Sequence, residues 1–238
     1  MKVFIFGVFA YIFALIGQLA FTFYVGGFSV FGRSINDVQT MPTLEAIAIN
    51  TTLATLFGIQ HSVMARSWLK KFTTKFIPQA SERSSYVLMS GFGLFVVTLF
   101  WQPINGFLWR VDSGIEYYIL LALFIFGWTF SVVATFVINH FELFGLQQIY
   151  YHIKDKKPKE IPFSEKLFYK YIRHPIQLGV IIGLFFAPTM SYSHLLLAIL
   201  FTIYIFIGLY FEERSLEKEL GETYRDYKNR VGMMFPKF

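Results

Sequence analysis

Charged residues divide this chain into apolar compartments. With His counted as neutral, the uninterrupted stretches are 3–32, 46–65, 84–109, 117–141 and 174–211. A helix needs about 20 apolar residues, at 1.5 Å each, to cross a hydrocarbon core ~30 Å thick, so each of the first four stretches predicts one crossing. The fifth has 38 residues and would make a helix of roughly 57 Å. Near its middle stands Ala187-Pro188-Thr189-Met190-Ser191-Tyr192-Ser193, a turn signal that predicts a hairpin of two helices. Beyond it, Glu212 to about Val231 reads as a tail helix. Glu217, Lys218, Glu222 and Arg225 give charge pairs at helical spacing, and Leu216, Leu220 and Tyr227 form an apolar stripe. The pattern predicts an all-α integral membrane protein of five to six transmembrane segments, folded as a single transmembrane domain over 1–238.

Composition supports the membrane reading. With 55% hydrophobic and 15% charged residues and a mean hydropathy of +0.51, the chain lies outside the range of soluble globular domains. The first run, Val3 to Gly32, follows Lys2 but is too long for a signal-peptide core and lacks a small-x-small cleavage site; it predicts a retained helix. The absence of cysteine removes a disulfide framework, a thiolate zinc site and a cysteine nucleophile, and no metal is expected.

Charge adds the orientation. The net charge of +6 suggests nucleic acid only until the basic residues are placed, because they flank apolar spans. Lys2 stands at the N-terminus, Arg66 to Arg83 follow the second stretch, Lys154 to Arg173 follow the fourth, and Arg214 to Lys237 lie in the tail. An alternating topology of six segments puts 19 of the 21 Lys and Arg residues on one side, leaving only Arg33 and Arg110 opposite. Both termini are expected to be cytoplasmic, in what reads as a bacterial inner membrane. The expected partners are membrane lipid and a small-molecule substrate, with no nucleic acid and no obligatory protein partner.

Candidate chemistry gathers at the two ends of the hairpin. In Tyr169-Lys170-Tyr171-Ile172-Arg173-His174-Pro175, Pro175 suits the first turn of a helix and leaves Arg173 and His174 extended at the membrane surface. They read either as positive-inside anchors or as a pair able to hold a carboxylate. A hairpin returns Glu212-Glu213 to the same side. Adjacent carboxylates at a membrane mouth are costly unless paired, so an Arg partner or a cationic cofactor is expected.

The order Arg173-His174-Pro175-Ile176-Gln177-Leu178-Gly179, apolar hairpin, Glu212-Glu213, Gly221-Glu222-Thr223-Tyr224-Arg225-Asp226-Tyr227 and Phe235-Pro236 resembles the isoprenylcysteine carboxyl methyltransferase superfamily of membrane enzymes. Gln177 stands where that pattern usually has Tyr. The resemblance covers 169–238 and implies a pocket for S-adenosylmethionine there. Tyr169, Arg173, His174 and Gly179 would line one wall, and Glu212, Glu213, Tyr224, Tyr227 and Pro236 the other. Upstream, Gln60-His61-Ser62-Val63-Met64-Ala65-Arg66, Glu82-Arg83-Ser84-Ser85-Tyr86-Val87-Leu88 and Asn139-His140-Phe141-Glu142-Leu143-Phe144-Gly145-Leu146-Gln147-Gln148, together with Gly232-Met233-Met234, make nearly the whole chain similar to the bacterial methanethiol S-methyltransferase family. Gln147 stands where Arg is expected.

That resemblance implies transfer of methyl from S-adenosylmethionine to a small thiol. For methanethiol the product is dimethyl sulfide. A thiolate is a far better nucleophile than a thiol, so His61 and His140 are candidate proton acceptors, with Glu142 as an orienting partner. Taken alone, each histidine reads first as a satisfied interfacial residue. Three rival readings stay open. One is a methyltransferase for another acceptor, such as a prenylcysteine carboxylate or a lipid. The second is a non-enzymatic membrane protein of the nitric-oxide-reduction accessory type, which the His61-Ser62 region resembles loosely. The third is a small transporter, for which Asn50, Thr51, Thr52 and Thr55 are the polar residues at mid-membrane depth.

Overall fold

A computed structural model describes residues 1–156, 163 and 165–237. Lys157 and Lys159 of the basic count above lie outside them. In chain order the elements are α1 (Lys2–Val25), α2 (Thr43–Met64), α3 (Ser67–Thr73), α4 (Gln79–Phe100), β1 (Phe107–Arg110), α5 (Ile115–Ile138), α6 (His140–Leu143) and α7 (Leu146–Ile153). A 3₁₀ turn (Leu167–Lys170), α8 (Pro175–Phe185), β2 (Thr189–Ser191), α9 (Tyr192–Leu220) and α10 (Glu222–Arg230) follow.

The chain is a helical membrane protein. Helices α1, α4, α5 and α9 are long and apolar enough to cross a bilayer. Helix α2 matches them in length with 22 residues but carries Asn50, Thr51 and Thr52. The fifth apolar stretch does fold back on itself, though unequally. Helix α8 has 11 residues and rises about 16 Å, too little to cross alone, whereas α9 has 29. The tail differs from a single helix beginning at Glu212. Helix α9 runs unbroken past the glutamates to Leu220, and Gly221 at φ 58° turns the chain into α10, a conformation that costs glycine little.

The described residues form two compact units. The first comprises Met1–Arg110, the described part of Asn139–Ile161, and Thr189–His194. In it α1 packs on α4 through small residues. A Cβ on Gly91 would lie 2.6 Å from the Ala14 Cα, and one on Gly17 would lie 2.7 Å from the Gly91 carbonyl oxygen. Small side chains let membrane helices approach this closely. At the far end of α4 the stretch 84–109 stops being helical at Phe100, and Phe107–Arg110 pairs antiparallel with Thr189–Ser191. A polar knot fixes this corner. Asn50 exchanges two hydrogen bonds with the Gln102 backbone at 2.8 and 2.7 Å, and the Trp101 indole donates to Ser193 Oγ at 3.1 Å. Asn50 thus staples a loop, while Thr52 Oγ1 bonds back to the Ala48 carbonyl.

The second unit comprises Val111–Ile138 and the described parts of Pro162–Pro188 and Leu195–Phe238. Its packing centre is the crossing of α5 and α8. A Cβ on Gly179 would sit 2.6 Å from both the Gly127 carbonyl oxygen and the Ser131 nitrogen. Gly179→Ala is expected to destabilise the protein by about 1–3 kcal/mol, the range for overpacking, and to lower its unfolding midpoint in detergent. Gly208→Ala is the control, because a Cβ there meets nothing within 4 Å. It should leave the midpoint unchanged or raised; equal losses from both variants would refute this packing role.

Candidate active site

The two ends of the hairpin meet. The segment before α8 is held straight by main-chain bonds: the N–H of Arg173 donates to the Gly232 carbonyl at 2.9 Å and that of His174 to the Met233 carbonyl at 3.1 Å. Pro175 then opens α8, where its missing N–H has no helical partner to lose. This aims both preceding side chains at α9. Arg173 Nε and Nη2 each lie 2.7 Å from Glu213 Oε1, His174 Nε2 lies 3.1 Å from the same oxygen, and Lys228 Nζ lies 3.2 Å from Oε2. Arg173 Nη1 donates to the carbonyls of Lys228 and Val231. Arg173, His174 and Glu213 are all buried, at 8%, 5% and 4% exposure. A carboxylate this deep persists because every side of it is countered by a donor.

The twin glutamates therefore part company. Successive residues on a helix point about 100° apart, so Glu213 enters the cluster while Glu212 stays exposed. Below the ion pair, Tyr227 Oη donates to the Tyr169 carbonyl at 2.7 Å, and Tyr169 Oη donates to the Ala134 carbonyl at 3.4 Å. Tyr224 and Tyr227 pack with Phe163, Leu216, Leu220 and Val231. Burial pushes the Tyr227 phenol up to about 12 and raises those of Tyr169 and Tyr224 as well, so all three remain neutral donors. The Tyr224 hydroxyl is buried with no hydrogen-bond partner among the described residues.

Of the nine residues carried over from the family pattern, Tyr169, Arg173, His174, Glu213, Tyr224 and Tyr227 thus form one cluster. Gly179 lies against α5, and Glu212 and Pro236 are exposed. Lys228, which sequence reasoning did not single out, completes the cluster. Its only signal was its helical spacing from Tyr224 on the charged tail.

The first unit holds the other three candidates. His61 on α2 has Tyr86 Oη 2.5 Å from Nε2 and Ser90 Oγ 3.0 Å from Nδ1. Ser90 gives its own proton to the Tyr86 carbonyl at 2.8 Å, so it accepts from Nδ1–H, and Nε2 accepts from the Tyr86 phenol. This proton count makes His61 a neutral ring with both nitrogens engaged. His140 lies just past the end of α5, at the start of α6, where Asn139 caps the turn by accepting from the Glu142 N–H at 3.3 Å. Its Nε2 is 2.9 Å from Tyr11 Oη, and its ring packs on Phe144 with centroids 4.5 Å apart. Burial pushes its pKa below the ordinary histidine value, which keeps the ring neutral and able to take a proton.

Tyr11 on α1 is the hydrogen-bond partner described for His140 Nε2. Its signal was a phenol in a helix otherwise almost wholly apolar, since a buried hydroxyl needs a partner. The Glu142 carboxylate lines a cleft with Arg83, and burial raises its pKa against the pull of that guanidinium. Arg83 Nε donates to the Leu143 carbonyl at 2.7 Å, tying α4 to α6. Gly145 at φ 85° links α6 to α7. Gln147 Oε1 accepts from Asn139 Nδ2 at 2.5 Å, which braces the same turn.

Known proteins match this chain over nearly its whole length. It is 40% identical over 224 residues to the methanethiol S-methyltransferase of Mycobacterium tuberculosis, covering 93% of this chain and 92% of that protein. It is 40% identical over 233 residues to methanethiol S-methyltransferase 1 of Bradyrhizobium diazoefficiens, covering 98% and 81%. Nurim of Rattus norvegicus is more distant, 29% identical over 188 residues, covering 75% and 71%. No family model and no solved structure matches the chain. At that identity and coverage, the chain belongs to the methanethiol S-methyltransferase family.

Proposed function

We propose that this chain methylates methanethiol with S-adenosylmethionine, giving dimethyl sulfide and S-adenosylhomocysteine. The observation that carries the reading is the near-complete alignment with relatives named for that activity. The cluster at residues 169–233 supports the cofactor assignment chemically. It offers a buried hydroxyl without a partner on Tyr224 and neutral phenols on Tyr169 and Tyr227, groups that suit a nucleoside with an aromatic base and a sulfonium. Arg173 and Glu213 are engaged with each other, so their contribution is to fix the pocket wall, and His174 shares that task.

When bound, S-adenosylmethionine supplies a methyl group on a positively charged sulfur. The chain's own residues must take the thiol proton and hold the acceptor. His140 is assigned the proton, because burial keeps it neutral and Tyr11 fixes its ring. His61, with both nitrogens engaged, holds Tyr86 and Ser90 in place. A small apolar thiol reaches such a protein from the bilayer, while the cofactor enters from the cytoplasm, the side assigned to both termini by 19 of 21 basic residues.

Headspace chromatography of cells expressing the chain and fed methanethiol tests the reading. Dimethyl sulfide above the empty-vector level is expected. Its absence, with the purified protein instead passing label from the cofactor to a prenylcysteine or a lipid, would replace the acceptor.

A further inference from the structure

Beside α6 the first unit carries a cleft of about 640 Å³ that the methyl-transfer reading leaves empty of purpose. Its charges arrive from separate elements: Lys70 from α3, Glu82 and Arg83 from the start of α4, Glu142 from α6 and Lys156 from beyond α7. Among the described residues, none of these five groups forms an ion pair. Arg83 is held in place by the Leu143 carbonyl and by the Tyr86 ring, 4.9 Å from its guanidinium carbon. Gln148, which lines the cleft, is anchored through Nε2 to the Glu142 carbonyl at 3.2 Å, and its Oε1 is buried and accepts no hydrogen bond among the described residues.

Opposite charges that share a half-buried cleft without touching, next to an acceptor without a donor, are complementary to a zwitterion. The anionic end must suit Lys70 and Arg83. The cationic end must suit Glu82 and Glu142, and it must carry N–H bonds, because Gln148 Oε1 can only accept. Position narrows the class. Glu82 and Arg83 sit in the opening turns of a membrane-crossing helix, at headgroup depth. On either side, Trp68 and Phe72 of α3 and Tyr150 and Ile153 of α7 expose large apolar or aromatic surface, a surface suited to acyl chains at the interface.

We propose that this cleft is a binding site for a membrane phospholipid with a primary ammonium on its phosphodiester headgroup. The phosphate oxygens accept from Lys70 and Arg83, and the ammonium donates to Gln148 Oε1 and the two carboxylates. A choline headgroup has the same charges but no N–H, and a glycerol headgroup lacks the cation. Both should bind less well.

The test is native mass spectrometry of the full chain released from nanodiscs containing equal parts dioleoyl phosphatidylethanolamine, phosphatidylcholine and phosphatidylglycerol. Phosphatidylethanolamine should be retained about tenfold over phosphatidylcholine, the factor expected of one charge-assisted hydrogen bond. Gln148→Leu should lower that ratio, with the remainder held by the two carboxylates, and Lys70→Ala should reduce retention of all three lipids. Circular dichroism verifies that both variants are folded. Equal retention of the three lipids by the unaltered protein, a preference for phosphatidylglycerol, or an unchanged ratio in Gln148→Leu would each overturn the proposal. So would saturable binding of soluble phosphoethanolamine with no lipid retained, which would make a free metabolite the ligand.

Discussion

His140→Ala is expected to lower the rate of dimethyl sulfide formation by roughly 10²–10⁴-fold, the contribution of a positioned general base, while the protein keeps its fold and its affinity for S-adenosylmethionine. The mutation removes a neutral imidazole at a helix start and nothing from the Arg173 cluster. In the unaltered enzyme the activity should persist as pH falls through the ordinary histidine range and be lost only lower, because burial depresses the His140 pKa and protonation there removes the acceptor. Tyr11→Phe refines the test. For His140 to take the thiol proton at Nδ1, its Nε2–H must donate to Tyr11 Oη; that bond is stronger in the imidazolium, so its loss should move the acid limb to lower pH. A histidine variant with full turnover would remove His140 from the reaction. A Tyr11→Phe profile superimposable on that of the unaltered enzyme would leave His140 in place and remove its orienting partner.

Glu213→Ala is expected to cost about 3–5 kcal/mol of stability, since it leaves Arg173 buried without its counter-charge. Calorimetric binding of the cofactor should vanish along with the fixed wall. Glu213→Gln keeps an acceptor oxygen but not the charge, and should fall in between. The informative contrast is with the neighbouring residue. Glu212 is exposed, so Glu212→Gln should shift the unfolding midpoint by no more than an ordinary surface change, about 0.5 kcal/mol. Equal destabilisation by the two substitutions would mean that the ion pair is not what fixes the wall.

Much of this arrangement was legible in the chain because bilayer physics leaves few options. Long apolar runs must be helices, since every peptide group in hydrocarbon needs an internal partner. The fold-back followed from the length of the stretch, and its place from the turn residues around Ala187-Pro188. Less legible were the places where apolar residues leave the helix. Phe107–Arg110 continues an apolar run yet pairs as a strand with Thr189–Ser191, and a short run carries no periodicity to separate the two states. The inequality of α8 and α9 was hidden for the same reason.

In the candidate site, composition gave the chemical types but not their mutual engagement. Glu212 and Glu213 are alike in sequence, and only helix phase sends one inward. His61 and His140 both end apolar stretches, yet the first has both nitrogens engaged by Tyr86 and Ser90, whereas the second is oriented by Tyr11, 129 positions away. A pairing over that distance leaves no local trace in a single sequence. Gly179 read as pocket lining because it belongs to the family motif. Its contact with Gly127 and Ser131 depends on the crossing of two helices that neither segment specifies alone.

The main-chain bonds from Arg173 and His174 to the carbonyls of Gly232 and Met233 bear on biogenesis. A nascent chain as far as Leu220 already contains every helix among the described residues that is long and apolar enough to cross a bilayer and can be integrated by the insertion machinery, yet the arginine that awaits Glu213 still lacks the segment that orients it. The buried ion pair is therefore fixed in place only after integration, when residues around 232 leave the ribosome and dock. Products arrested before that point would accumulate in the membrane integrated but with Arg173 still unoriented.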